Sequence, residues 1–181
     1  MRGFRCIKMT YPEYVFKPPP INVARAWRRV AEPTMQLTQF SDYSLRLVLY
    51  LATHENQVVT LQEVSHAYGV SQHHLVKVTA RLVEQGVVAS VRGRNGGLRL
   101  NRTPDRINIG DLVRATEPHF DLVECFDAER NTCPIDRACG LKGVLREAQQ
   151  AFFAVLDRHT LADFLPRAPA LLRLWRRQAA G

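Results

Sequence analysis

The stretch TLQEVSHAYGVSQHHLVKVTARLVEQG, residues 60–86, decides the fold. It opens on Thr60 with Glu63 three residues later, the spacing of a capping box. In that arrangement the hydroxyl accepts from the backbone N–H of the third helical residue, and the carboxylate reaches back to the cap's own N–H. A short helix is therefore expected over 61–68, ended by Gly69, which takes the left-handed conformation a helix end needs. Ser71 can cap a second helix over 72–85, and Gly86 ends it. Two helices joined by a three-residue turn with a glycine make a helix-turn-helix.

The neighbouring sequence completes a winged head. Val87 to Val91 is rich in β-branched residues and reads as a strand, Arg92 to Gly97 as a glycine-bearing turn, and Leu98 to Leu100 as the return strand. A hairpin directly after a helix-turn-helix is a wing. Upstream, Phe40, Tyr43, Leu47, Tyr50 and Leu51 recur at helical steps, which predicts a largely buried helix. Downstream, a short helix is expected over 109–116, with Pro118 beyond its end. Then Leu141, Val144, Leu145, Ala148, Phe152, Val155 and Leu156 mark a long helix too apolar on one face to stand alone. Thr160 caps a last short helix through Leu165; the tail 166–181, with Arg173, Arg176 and Arg177, carries no pattern that assigns it a structure.

The expected fold class is mainly α with a small β-hairpin wing: a winged helix-turn-helix followed by a long dimerisation helix. Its parts are a DNA-binding head over 35–116, a cysteine loop over 117–140, the dimerisation helix and short helix over 141–165, and the tail. Residues 1–34 show neither helical nor strand periodicity and hold Pro18, Pro19 and Pro20 in a row, which no regular helix or inner strand crosses. They read as a disordered basic arm, or as sequence upstream of a true start at Met35.

Charge narrows the function. The chain carries a formal +8 over 181 residues, which favours polyanionic partners. From Lys77 to Arg106 seven basic residues face two acidic ones, whereas from Glu117 to Asp136 six acidic residues face Arg130 alone. A basic middle followed by an acidic, cysteine-bearing loop implies two tasks in one chain. No apolar run approaches the roughly 20 residues that span a bilayer, and no secretory pattern is present. The expectation is a cytoplasmic protein without a membrane partner.

Double-stranded DNA is the expected partner. The second helix of such a motif offers its N-terminal side chains to base edges in the major groove. Here those are Ser71, Gln72, His73 and His74; Gln can pair with adenine through two bonds, and Ser suits several bases. Lys77 and Arg81, further along, suit phosphates. In the wing, Arg92, Arg94 and Arg99 flank Asn95, Gly96 and Gly97, a tip suited to a narrow, electronegative minor groove. One module offers little contact area, so specific binding calls for two of them, and the long apolar helix is the natural surface for a homodimer.

Cys125, Cys133 and Cys139 are spaced too widely for the close ligand pairs of most zinc sites. Soft thiolates at such spacing on a polar loop suit an iron–sulfur cluster, 2Fe-2S or 4Fe-4S. Cys6 stands alone in the arm.

From Met35 to Leu165 the chain resembles the IscR/NsrR-type family of iron–sulfur winged-helix regulators. The opening MQLTQFSDYSLR from Met35, the wing SVRGRNGGLRL from Ser90 and the closing TLADFL from Thr160 carry the resemblance, with the three-cysteine loop between the last two. It implies a homodimeric repressor with one cluster per subunit that leaves its operator when nitric oxide, the signal, reaches the cluster. Members of the IscR type place a His three residues after the last Cys; here Lys142 stands there. The nitric-oxide-sensing members can instead use an Asp at the eighth position, in the first helix, from the partner subunit, as fourth ligand, and counted from Met35 that is Asp42. The local alternative for Asp42 is an ion pair with Arg46, one turn on. Two other functions share parts of this pattern: the same fold sensing iron–sulfur supply or redox stress, and a small iron–sulfur electron carrier, which needs neither wing nor recognition helix. The six histidines are scattered, and no nucleophile–base constellation of an enzyme can be read.

Overall fold

The computed structural model describes residues 36–55 and 57–179, and the chain from Leu37 onward packs as one compact unit. The arm expected over 1–34, with Cys6, lies outside the described residues, as does Met35. Helix α1 spans Gln39–Thr53, with Thr38 as its cap accepting from the Ser41 N–H at 3.3 Å. It buries Leu47, Val48 and Leu51 in the centre of the core.

The helix-turn-helix forms as its sequence dictates. Helix α2 is Leu61–Tyr68, and both capping-box bonds are made: Glu63 Oε2 accepts from the Thr60 N–H at 2.6 Å, and Thr60 Oγ1 from the Glu63 N–H at 3.2 Å. Gly69 ends it at φ +63°. Helix α3 is Gln72–Glu84, and it buries Leu75, Val78 and Leu82 against α1. Those three residues lie at three- and four-residue steps, so the opposite stripe of α3 is turned to solvent.

Strands β1 (Val88–Val91) and β2 (Gly97–Leu100) pair antiparallel, Val88 opposite Leu100. Val59 adds a bridge to Leu98, with bonds of 2.9 and 2.7 Å, so the wing is sewn to the segment before α2. A Cβ on Gly97 would stand 2.6 Å from the Val59 carbonyl oxygen, so only glycine allows that approach. At the hairpin's far end Arg102 donates to Gln85 O at 2.9 Å and Asn101 to Gly86 O at 3.2 Å, which fixes the wing to the end of α3.

Helix α4 (Ile109–Thr116) packs under α1, and α5 (Gly140–Leu156) packs on α4. Their joint is tight: a Cβ on Gly110 would meet Asp157 Oδ1 at 1.9 Å. Arg114 grips the same carboxylate with bonds of 2.6 and 2.7 Å, holding its pKa below the usual value. The apolar residues of α5 divide into two stripes. Leu145, Phe152, Phe153 and Leu156 are half-buried, with Phe153 edge-on to Phe120 and under the Arg114 guanidinium. Leu141, Val144, Ala148, Ala151 and Val155 are exposed, Leu141 at 62% and Val144 at 61%.

The C-terminal part differs from expectation. The segment after Thr160 is a 3-10 helix, Leu161–Arg167, because Pro166 inside it has no N–H and disfavours the α conformation at the residue before it. The tail, whose sequence carries no assignable pattern, forms helix α6, Ala168–Ala179. Its Trp175 packs on Tyr50 (ring centroids 4.8 Å apart) and Tyr68 (5.4 Å). Among the described residues no helix is long and apolar enough to cross a membrane.

Candidate DNA interface and cysteine loop

The first turn of α3 places Ser71, Gln72, His73 and His74 at the surface. Ser71 accepts from the His73 N–H at 3.3 Å, and this cap leaves its own hydroxyl proton to donate. His74 leans on Tyr43, ring centroids 5.9 Å apart, so of the two histidines His73 has the freer ring. Lys77 lies on the same exposed stripe. Val76, 54% exposed, and Ala80 complete it; neither was singled out from the sequence, although their steps from Gln72 and His73 are helical.

Arg81, expected at a phosphate, has partners within the chain as well. It donates to Ala115 O at 3.2 Å and pairs with Glu84 at 2.8 Å, so it ties the recognition helix to α4. In the wing, Arg92, Arg94, Asn95 and Arg99 are all exposed. Among the described residues no carboxylate lies within 4 Å of Lys77, Arg92, Arg94 or Arg99. Gly93, at φ +114°, and the bond from the Gly96 N–H to Gly93 O (2.9 Å) fold the tip back sharply.

The segment Ala115–Glu117 joins three helices. Besides the Arg81 bond, Ser41 donates to Thr116 Oγ1 at 2.9 Å in the core, and Glu117 Oε1 accepts from the Thr38 N–H at 2.7 Å. The start of α1, which carries Asp42, is thus bonded to the same turn as the recognition helix. Asp42 itself lies in the local ion pair: Arg46 Nε donates to Oδ1 at 3.0 Å and Nη2 meets Oδ2 at 2.8 Å, which raises the Arg46 pKa.

Cys125, Cys133 and Cys139 are half-buried and free of disulfides. Cys125 lies in a 3-10 turn, Glu124–Phe126, and Cys139 directly precedes α5. The loop between them is shaped by its own polar groups. Glu124 Oε1 accepts from the Thr132 hydroxyl and N–H, both at 2.6 Å, which lowers its pKa, and Asn131 Oδ1 accepts from the Cys133 N–H at 3.1 Å. Lys142 is bound to Asp136 and lowers that carboxyl's pKa, so the residue at the family's His position is an ion-pair partner. Among the described residues no three His, Cys, Asp or Glu side chains stand close enough to hold a metal ion. The donors fit an iron–sulfur cluster in kind, since three unpaired thiols on one polar loop are the ligands its irons favour.

Comparison with known proteins agrees with this layout. The Rrf2 family, described as an iron-dependent transcriptional regulator, matches residues 37–167. The HTH-type transcriptional regulator NsrR of Bacillus subtilis (strain 168) is 45% identical over 141 residues, covering 77% of this chain and 97% of that protein. The regulator of the same name from Bacillus licheniformis is 46% identical over 132 residues, 72% of this chain and 92% of its own. Among solved structures, T. potens IscR superposes with a TM-score of 0.60 at 29% identity, over 74% of this chain and 88% of that one. CymR, the global cysteine regulator of B. subtilis, gives 0.59 at 25% identity, over 74% and 98%. With the family matched across head, loop and long helix, the chain belongs to the Rrf2 family: it is a DNA-binding regulator of transcription, not an enzyme.

Proposed function

We propose that the chain is a cytoplasmic repressor that binds its operator as a homodimer and releases it in response to nitric oxide. An iron–sulfur cluster on Cys125, Cys133 and Cys139 would supply the iron that binds nitric oxide. The observation that carries this reading is the placement of three free thiols on the loop leading directly into α5, the helix with an unpartnered apolar stripe. A family composed of transcriptional regulators favours it over an electron carrier.

The chain's own residues would do the rest. Gln72 and Ser71 present donors and acceptors to base edges, with His73 and His74 beside them, and Val76 offers methyl groups to a thymine methyl. Lys77, Arg92, Arg94 and Arg99 neutralise phosphates or enter the minor groove, with Asn95 at the wing tip. Arg81 acts on DNA indirectly, by holding α3 against α4. Gln72→Ala is expected to cost about 1–3 kcal/mol on the best duplex and to flatten preference at one base pair. Competition binding against single-base variants of that duplex checks it; an unchanged ranking of bases would remove Gln72 from the readout.

Asp42 is proposed as the fourth ligand, reaching the partner subunit's loop. The wild-type protein and Asp42→Asn, both purified without oxygen, should be titrated with nitric oxide while absorption and operator binding (fluorescence anisotropy) are followed. In the wild type, iron should be present and nitric oxide should weaken binding about 5- to 150-fold, the range of ordinary allosteric coupling. Iron-free protein whose binding ignores nitric oxide would sink the reading. Asp42→Asn should show a shifted spectrum and weaker binding before nitric oxide is added. A merely local pair with Arg46, worth about 0.2–0.5 kcal/mol, predicts neither change.

A further inference from the structure

Helix α6 begins at Ala168, just after the family-matched segment ends at residue 167. From Arg167 onward the sequence carries Arg167, Arg173, Arg176 and Arg177 and no acidic residue. The inner side of α6, Leu171, Leu172 and Trp175, is half-buried. Trp175 is wedged between Tyr50 at the end of α1 and Tyr68, the last residue of α2. Gln178 Nε2 lies 3.8 Å from where a Cβ on Gly69 would stand, so the far end of α6 adjoins the turn leading into the recognition helix. Arg176 lines a cleft of about 640 Å³ together with Thr60, Glu63 and His66 of the first helix-turn-helix element.

Arg173, Arg176 and Arg177 are exposed, and among the described residues no carboxylate lies within 4 Å of them. Arg173 and Arg177 stand four apart, a like-charge pair that weakens a free helix by some tenths of a kcal/mol. A polyanion along this face relieves that repulsion. In a helix-turn-helix the first helix crosses the DNA backbone while the second enters the groove. Helix α6 is fastened to that first helix and to the turn after it.

We propose that α6 is a further DNA-contacting element whose Arg173, Arg176 and Arg177 bind backbone phosphates beside the groove that α3 enters. This rests on the DNA-binding role of the head, and it adds affinity without adding sequence preference, because phosphates carry no base identity.

The test uses full-length protein and two probes: a duplex selected from random sequence by the wild type, and an unrelated duplex of equal length. Binding of the wild type and of Arg173→Gln/Arg176→Gln/Arg177→Gln is measured across a salt series. Each lost phosphate contact should lower the slope of log affinity against log salt by about 0.9, so the triple variant should lose roughly 2–3 units. It should bind both duplexes more weakly by the same factor, and the triple Arg→Lys variant should keep the slope. A wild type that enriches no duplex from random sequence and does not bind the unrelated one overturns the DNA-binding role and this proposal together. A wild type that binds, with an unchanged slope in the triple Gln variant, overturns this proposal alone. So does a triple Gln variant whose slope is unchanged while sedimentation shows a weakened dimer, since α6 would then be a subunit contact.

Discussion

Replacing any one of Cys125, Cys133 or Cys139 with alanine is expected to leave protein purified without oxygen almost devoid of iron and sulfide, whereas Cys6→Ala keeps both. The three loop thiols are half-buried on a polar surface, and each loop backbone bond described above is made by a neighbour of the cysteine or by its own main chain. Removing a sulfur there opens no core cavity, so the iron-free fold should change in stability by no more than about 0.5 kcal/mol. Loss of metal with an unaltered thermal transition of the metal-free state separates ligation from unfolding. A loop variant that retains full iron is thereby struck from the ligand set.

The second large effect is expected on the outer stripe of α5. Leu141→Glu combined with Val144→Glu should convert the proposed dimer to a monomer and abolish tight binding to a two-half-site duplex. Burying one such side chain contributes about 1.5–3 kcal/mol, the pair occurs in both subunits, and a carboxylate would add a desolvation cost. The dimer constant should therefore fall by several orders of magnitude. Both positions are more than half exposed in the single chain, so its own core is untouched. Sedimentation equilibrium decides the matter: a double variant that remains dimeric at micromolar concentration places the subunit contact elsewhere.

The head was legible in the sequence because its signals are local. The Thr60–Glu63 box, Gly69, the Ser71 cap and the hairpin each need only a few neighbouring residues, and each forms where expected. The family likewise followed from three short motifs and the cysteine spacing between them. What stayed hidden depends on partners distant in the chain. Trp175 is anchored by Tyr50 and Tyr68, more than a hundred residues earlier, so a helix that follows Pro166, holds Pro169 in its first turn and is rich in arginines looked unpatterned. The single apolar stripe read for α5 is two, because the sequence could not show that Phe120 and Arg114 claim the side bearing Phe153. The bond from Arg81 to the Ala115 carbonyl was likewise invisible, because it joins residues 34 apart.

That last contact has a bearing on which residues can vary. The acceptor for Arg81 is a main-chain oxygen, and main-chain oxygens survive every substitution at their own position. Position 115 can therefore change among small residues while the link between α4 and α3 persists. The other two links of the same turn end on side chains, the Thr116 hydroxyl and the Glu117 carboxylate, and can be lost by one substitution each. The three bonds of this turn therefore differ in where they break: the Thr116 link fails at either of two hydroxyls, whereas the Glu117 and Arg81 links each depend on one side chain, because the Thr38 N–H and the Ala115 carbonyl belong to the main chain.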